Sequence, residues 1–142
     1  MTVVIDASVV LKWLLADPAT ESDTERATAL MHAVVGGKLD IVQPAHWLCE
    51  VGAVLARTAP STAAGDLERL YAMEFPVRHE TGVLRCACEL SINLGQHLFD
   101  TLYHAVALET DDATLVTADR RYLRAARSRG RICALAEWKL AS

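Results

Sequence analysis

The chain alternates between short β-branched apolar runs and longer stretches whose apolar residues recur at helical spacing. "TVVI" at 2–5 has no polar break, the pattern of a strand buried on both faces. "SVVLKWLLA" follows as a short helix, with Ser8 available to cap it. "ADPA" breaks the chain. Residues 21–35 then read as a helix, acidic first and apolar afterwards, stopped by Gly36 and Gly37. "LDIVQP" holds a second strand at about 41–43 that ends at Pro44; residues 45–58 form a helix ended near Pro60, and 61–73 form another. "EFPVR" predicts a short strand near an edge, because Pro76 cannot donate to a ladder. Residues 80–94 are helical up to Gly95. In "LFDTLYHAVALE" (98–109), Phe99, Leu102, Tyr103 and Val106 fall at i, i+3, i+4 and i+7, which predicts a buried helical stripe. "DATLVTAD" supplies a strand at about 113–116, "RRYLRAARSR" a helix and "RICAL" a last short strand.

Strands alternating with helices over the whole length predict an α/β fold with a mainly parallel central sheet, as one domain over 1–142. No repeat, low-complexity tract or linker interrupts it. A hydrophobic content of 52% and 23% charged residues belong to an ordinary globular protein. No apolar run approaches the roughly 20 residues of a membrane span. The apolar start lacks a basic opening segment and is interrupted by Asp6, so no signal peptide is expected and a cytoplasmic setting follows. Cys49, Cys86, Cys88 and Cys133 have no zinc or redox spacing; Cys86 and Cys88, two apart on a helix, point to different faces, and buried free thiols are expected.

The net charge of −4 conceals an asymmetry. Residues 1–119 hold 7 Lys and Arg against 17 Asp and Glu, whereas 120–142 hold 7 against 1. Arg120, Arg121, Arg124, Arg127, Arg129 and Arg131 crowd that last segment, where they suit either contact with phosphates or a solvated helix face.

Parallel sheets place their sites outside the carboxyl ends of the strands. Asp6 directly follows the first strand, and Asp119 follows the strand at 113–116. Glu50 lies in the second turn of the helix after the strand at 41–43. Asp100 opens a helix that runs back antiparallel to the strand it feeds. All four therefore reach one rim, whereas Asp111 and Asp112 belong to the opposite one. Each acid alone also fits a structural role, since Asp6, Asp100 and Asp119 all stand where helices start. Together they repel: two unit charges about 4 Å apart cost around 4 kcal/mol at an effective dielectric of ~20. A cluster of four needs a cation or bound protons, and oxygen-only ligands suit Mg²⁺ or Mn²⁺.

"VVIDASV", "PAHWLCEVGAVL", "FDTLYHAVALE" and "LVTADRRYL", in this order and spacing, resemble the PIN-domain nucleases, and among them the small VapC-type toxins. The resemblance implies an α/β/α sandwich around a mainly parallel sheet of four to five strands. It implies a cytoplasmic, Mg²⁺-dependent endoribonuclease, with Mn²⁺ as substitute, that dimerises and is held in check by a VapB-like antitoxin. Asp6, Glu50, Asp100 and Asp119 become catalytic metal ligands, with Ser8 and Thr117 as supporting hydroxyls. Hydrolysis by water would leave 5′-phosphate and 3′-OH ends. Arg120, Arg121 and Arg124, starting at the same rim, are placed to hold the RNA backbone. Ala53 and Phe99 depart from the family pattern, which more often carries Asn and Tyr there.

Two other readings compete. His97, Asp100 and His104 share a helical face, with His46 one turn before Glu50, as a zinc hydrolase would require. A PIN-like module that binds RNA or a partner without cutting would use the arginines equally well.

Overall fold

The computed structural model describes residues 1–15 and 22–142. The break expected at "ADPA" (16–19) and the first residue of the helix expected at 21–35 lie outside the described residues. In chain order the strands are β1 (Thr2–Ile5), β2 (Asp40–Ile41), β3 (Gln43–Pro44), β4 (Val77–Arg78), β5 (Ala113–Thr117) and β6 (Ile132–Ala134). The helices are α1 (Ala7–Leu15), α2 (Thr24–Val35), α3 (Trp47–Thr58), α4 (Ala63–Ala72), α5 (Thr81–Leu94), α6 (Leu98–Leu108) and α7 (Arg120–Ala126). The expected helix over "RRYLRAARSR" ends early, and Arg127–Arg129 tightens into a 3₁₀ turn.

Four strands make a parallel central sheet in the order β2-β1-β5-β6, flanked by helices. This is the α/β architecture that the alternation of strand and helix predicts. β1 sits inside the sheet, and its Val3, Val4 and Ile5 are fully buried. Full burial of each such side chain contributes about 1.5–3 kcal/mol, which is why an unbroken β-branched run takes the central position. α6 packs on β1 and β5, and α5 covers α6.

"LDIVQP" does not form one strand. Asp40 and Ile41 pair with β1, but Gln43 and Pro44 pair with Val77 and Arg78 in a separate two-stranded parallel sheet. Past Ile41 the side chain of Gln43 takes over the neighbour's role. Its Oε1 accepts from Ile5 N at 2.8 Å and its Nε2 donates to Ile5 O at 2.9 Å. A buried amide thus completes the ladder on the residue before Asp6. β4, which Pro76 precedes, is an edge strand as expected, being one of only two in its sheet.

The stripe expected on α6 is only partly buried. Tyr103 and Val106 are fully enclosed, Leu102 is intermediate, and Phe99 is exposed. Phe99 lies in the first turn of α6; the buried residues of the helix begin at Thr101. The thiols also differ from expectation: all four are free, but Cys49 and Cys88 are exposed and the other two are only half-buried.

Candidate metal centre

β1 and β5 run side by side in parallel, with Ile5 opposite Val116, so the segments that leave them emerge together. Asp6 N donates to Val116 O at 3.1 Å. Asp6 caps α1, its Oδ2 accepting from Ser8 N at 3.0 Å, and the Ser8 hydroxyl donates to the same oxygen. The capping role expected of Ser8 therefore belongs to Asp6. Ser8 Oγ in turn accepts from Ala118 N at 3.1 Å, which joins the segment after β1 to the one after β5.

Asp6, Glu50 and Asp100 converge. One carboxylate oxygen from each lies within 4.8 Å of the others, and among the described residues no other trio of His, Cys, Asp or Glu is gathered in this way. Unlike Asp6, Asp100 does not cap the helix it opens. His97 does so, its Nδ1 accepting from Phe99 N at 3.0 Å.

Asp119 is brought to the same rim but not into the trio. Its Oδ1 caps α7 by accepting from Tyr122 N at 3.0 Å, and its own N–H donates to Thr117 Oγ1 at 3.0 Å. Its charge still reaches Asp100, whose carboxyl is raised by burial first and then by Glu50 and Asp119. Beside it runs a cleft lined by Lys12, Thr117, Asp119, Arg120 and Leu135.

The trio is electrostatically costly. Two unit charges 4.8 Å apart repel by about 3–4 kcal/mol at an effective dielectric of ~20, so three ionised pairs approach the whole stability of a domain. Asp6, which is only 8% exposed, keeps its proton to higher pH than an ordinary aspartate: burial pushes its carboxyl from 3.8 up to about 6. The charges of Glu50 and Asp100 push the same way, against the lowering Ser8 hydrogen bonds.

Glu50 lies against His46. His46 Nε2 lies 2.9 Å from Phe99 O and 3.1 Å from Glu50 Oε2. The single Nε2 proton is donated to the carbonyl, and Glu50 Oε2 is left buried without a hydrogen bond. An orphaned carboxylate oxygen inside an all-oxygen acidic trio fits a hard divalent cation, whose charge would satisfy it and offset the repulsion.

The histidines do not build a zinc site. His104 is fully buried, with Nε2 2.8 Å from Gly130 O and Nδ1 3.0 Å from Tyr122 Oη. Its Nε2–H donates to the carbonyl and its Nδ1 accepts from the tyrosine, so both nitrogens are used and burial lowers its basicity. With His97 Nδ1 committed to the helix cap as well, the face that the spacing suggests is a structural one.

The six clustered arginines divide. Arg120, Arg121 and Arg124 are all exposed, the first two opening α7 directly after Asp119 and Arg124 in its last turn. Arg127 meets Glu137 at 3.4 Å, and Arg131 donates to Thr110 O at 2.9 Å, away from the acids. Asp112 also lies at the far rim, where it meets the N-terminal ammonium at 3.2 Å.

Sequence reasoning missed two residues. Gln43 fixes the end of β1, and the hydroxyl of Tyr103 is buried beside the Ala7 backbone, where its phenol feels the charges of Asp6 and Glu50. The only signal in the sequence was a polar group in each otherwise apolar stretch, an amide after "DIV" and a tyrosine in a core stripe.

Compared with known families, residues 3–128 match the PIN domain, a span that includes all but the first residue of β1, the sheet strands β2 and β5 and all four rim acids. A search among curated proteins returns no match to this chain.

Proposed function

The chain belongs to the PIN-domain family, whose members are generally nucleases, and from that premise we propose that it is a metal-dependent endoribonuclease. The observation that carries the reading is the convergence of Asp6, Glu50 and Asp100 around a buried, unpartnered carboxylate oxygen. Asp6, Glu50 and Asp100 would hold a divalent cation, Mg²⁺ or in its place Mn²⁺, and Asp119 stands beside them. Such a cation supplies positive charge to a scissile phosphate and acidifies water for in-line attack. Ser8 and Thr117 position the outer acids: Ser8 fixes the Asp6 oxygen, and Thr117 orients the peptide of Asp119. His46 keeps Glu50 and the backbone next to Asp100 in register. Arg120 and Arg121, next to Asp119, and Arg124 further along α7 would meet backbone phosphates. Attack by water spares the ribose 2′-OH, so the products would carry 5′-phosphate and 3′-OH ends.

The narrower role, the toxin of a VapBC-type pair that works in the cytoplasm as a homodimer under a VapB-like antitoxin, rests on the sequence resemblance of the four acid-bearing motifs. For the described residues, no helix is long and apolar enough to cross a membrane.

The test is direct. Purified chain incubated with end-labelled single-stranded RNA should cut it in Mg²⁺ or Mn²⁺, stop in chelator, and leave 5′-phosphate ends. RNA bound but intact in both metals favours the non-cutting module instead. For the toxin role, induced expression should arrest growth and Asp100→Asn should relieve it; arrest that survives the substitution removes the role.

A further inference from the structure

We propose that Phe99 is a stacking platform for a nucleobase at the mouth of the acidic centre, taking an unpaired base beside the scissile phosphate of single-stranded RNA. The inference rests on the nuclease reading and names how that site holds its substrate. Phe99 is 51% exposed although it directly precedes Asp100. A lone exposed apolar side chain is ordinary on a protein surface. The way this one is held is not. Its N–H donates to His97 Nδ1 at 3.0 Å and its carbonyl accepts from His46 Nε2 at 2.9 Å. Its ring lies 5.2 Å from the His46 imidazole, tilted by 40°, and 4.8 Å edge-on from that of His97.

The two hydrogen bonds hold the Phe99 backbone and the two ring contacts flank its side chain, so an aromatic surface stands in water before any ligand arrives, which lowers the ordering cost of binding. The platform is also in the right place. The imidazole that touches the Phe99 ring lies 3.1 Å from Glu50 Oε2, so one ring separates it from the acidic trio. A strand whose phosphate is drawn to the trio must carry a neighbouring base past Phe99. Every base has a π-face, so such stacking tolerates sequence but requires an unpaired strand. Arg120 and Arg121, exposed beside Asp119, supply charge for the backbone.

The test uses oligoribonucleotides that carry 2-aminopurine at each position in turn, bound in Ca²⁺ to the full chain. Wild type and Phe99→Trp should quench the probe at a position beside the cleaved bond; Phe99→Leu should not, and should bind RNA about tenfold more weakly. Replacing that nucleotide by an abasic residue should cost wild type about tenfold and Phe99→Leu almost nothing. Equal quenching, or an equal abasic penalty in both proteins, overturns the platform. So does a Phe99→Leu protein that binds RNA normally but sediments differently, which assigns the ring to a protein contact. If wild type cuts no RNA in Mg²⁺ or Mn²⁺, the nuclease reading fails and the platform falls with it. Cleavage by wild type with undiminished Phe99→Leu affinity removes the platform alone.

Discussion

Replacing Asp6 by Asn keeps the shape of the carboxyl group and an oxygen to accept from Ser8, while removing the charge. In the folded chain burial, aided by Glu50 and Asp100, raises this carboxyl from 3.8 to about 6. At about 1.4 kcal/mol per pH unit, the charged form costs the native state up to about 3 kcal/mol at neutral pH. Because the folded value is the higher one, the penalty is absent below 3.8, grows as pH rises to about 6 and is constant above. Asp6→Asn should therefore melt higher than wild type in chelator at pH 7.5, by about 5–10 °C for a domain of this size. The gap should close as pH falls to about 4. Adding Mn²⁺ should reverse the order, since ligand binding stabilises only the protein that retains the site. The assay is thermal unfolding by circular dichroism at several pH values, with and without metal. An Asp6→Asn protein that melts below wild type in chelator, or a gap indifferent to pH between 4 and 7, refutes the argument that the trio is electrostatically strained.

Gln43→Leu should cost about 2–4 kcal/mol in urea unfolding, because it leaves Ile5 N–H and C=O buried without partners; a cost below about 0.5 kcal/mol would show that the amide is dispensable. His104 carries the opposite pH dependence to Asp6. Its basicity is lowered by burial, so the stability it contributes is present above its ordinary value of 6.5 and is lost as pH falls below it. His104→Gln should flatten that part of the profile between pH 7 and 5, and an unchanged slope there counts against a neutral His104. Replacing Arg120, Arg121 and Arg124 by Ala should weaken RNA binding and lower its log–log salt slope by about 2, at ~0.7 per phosphate contact on a single strand; an undiminished slope returns these side chains to a solvated helix face.

The frame of the fold was legible where one physical signal dominated. "TVVI" could only be a buried strand, and the rule that places sites at the carboxyl ends of parallel strands brought Asp6, Glu50 and Asp100 to one rim. Legibility failed where tertiary partners decide between locally equal choices. "LDIVQP" reads as one short strand around Ile41 and Val42, yet the chain changes partners at Val42, and the side-chain amide of Gln43 marks the exchange. Phe99 satisfies the helical stripe by spacing but precedes the first residue of α6 that the core encloses. Asp119 shows a third kind of limit: spacing brings a carboxylate to the rim but does not say how close it comes to its neighbours. Here Oδ1 caps α7 through Tyr122 N and the residue stands outside the trio. The His97–Asp100–His104 face failed for the same reason, since periodicity does not show that His104 spends both nitrogens on Gly130 and Tyr122.

The central claim is that three acids from separate segments are held together to take up a divalent cation. Electron paramagnetic resonance of Mn²⁺ titrated into metal-free wild type and Asp100→Asn measures that binding directly and independently of any substrate. The account predicts saturable binding by wild type that competes with Mg²⁺, and its loss in Asp100→Asn with the melting transition still cooperative. Equal Mn²⁺ affinity in the two proteins would contradict it.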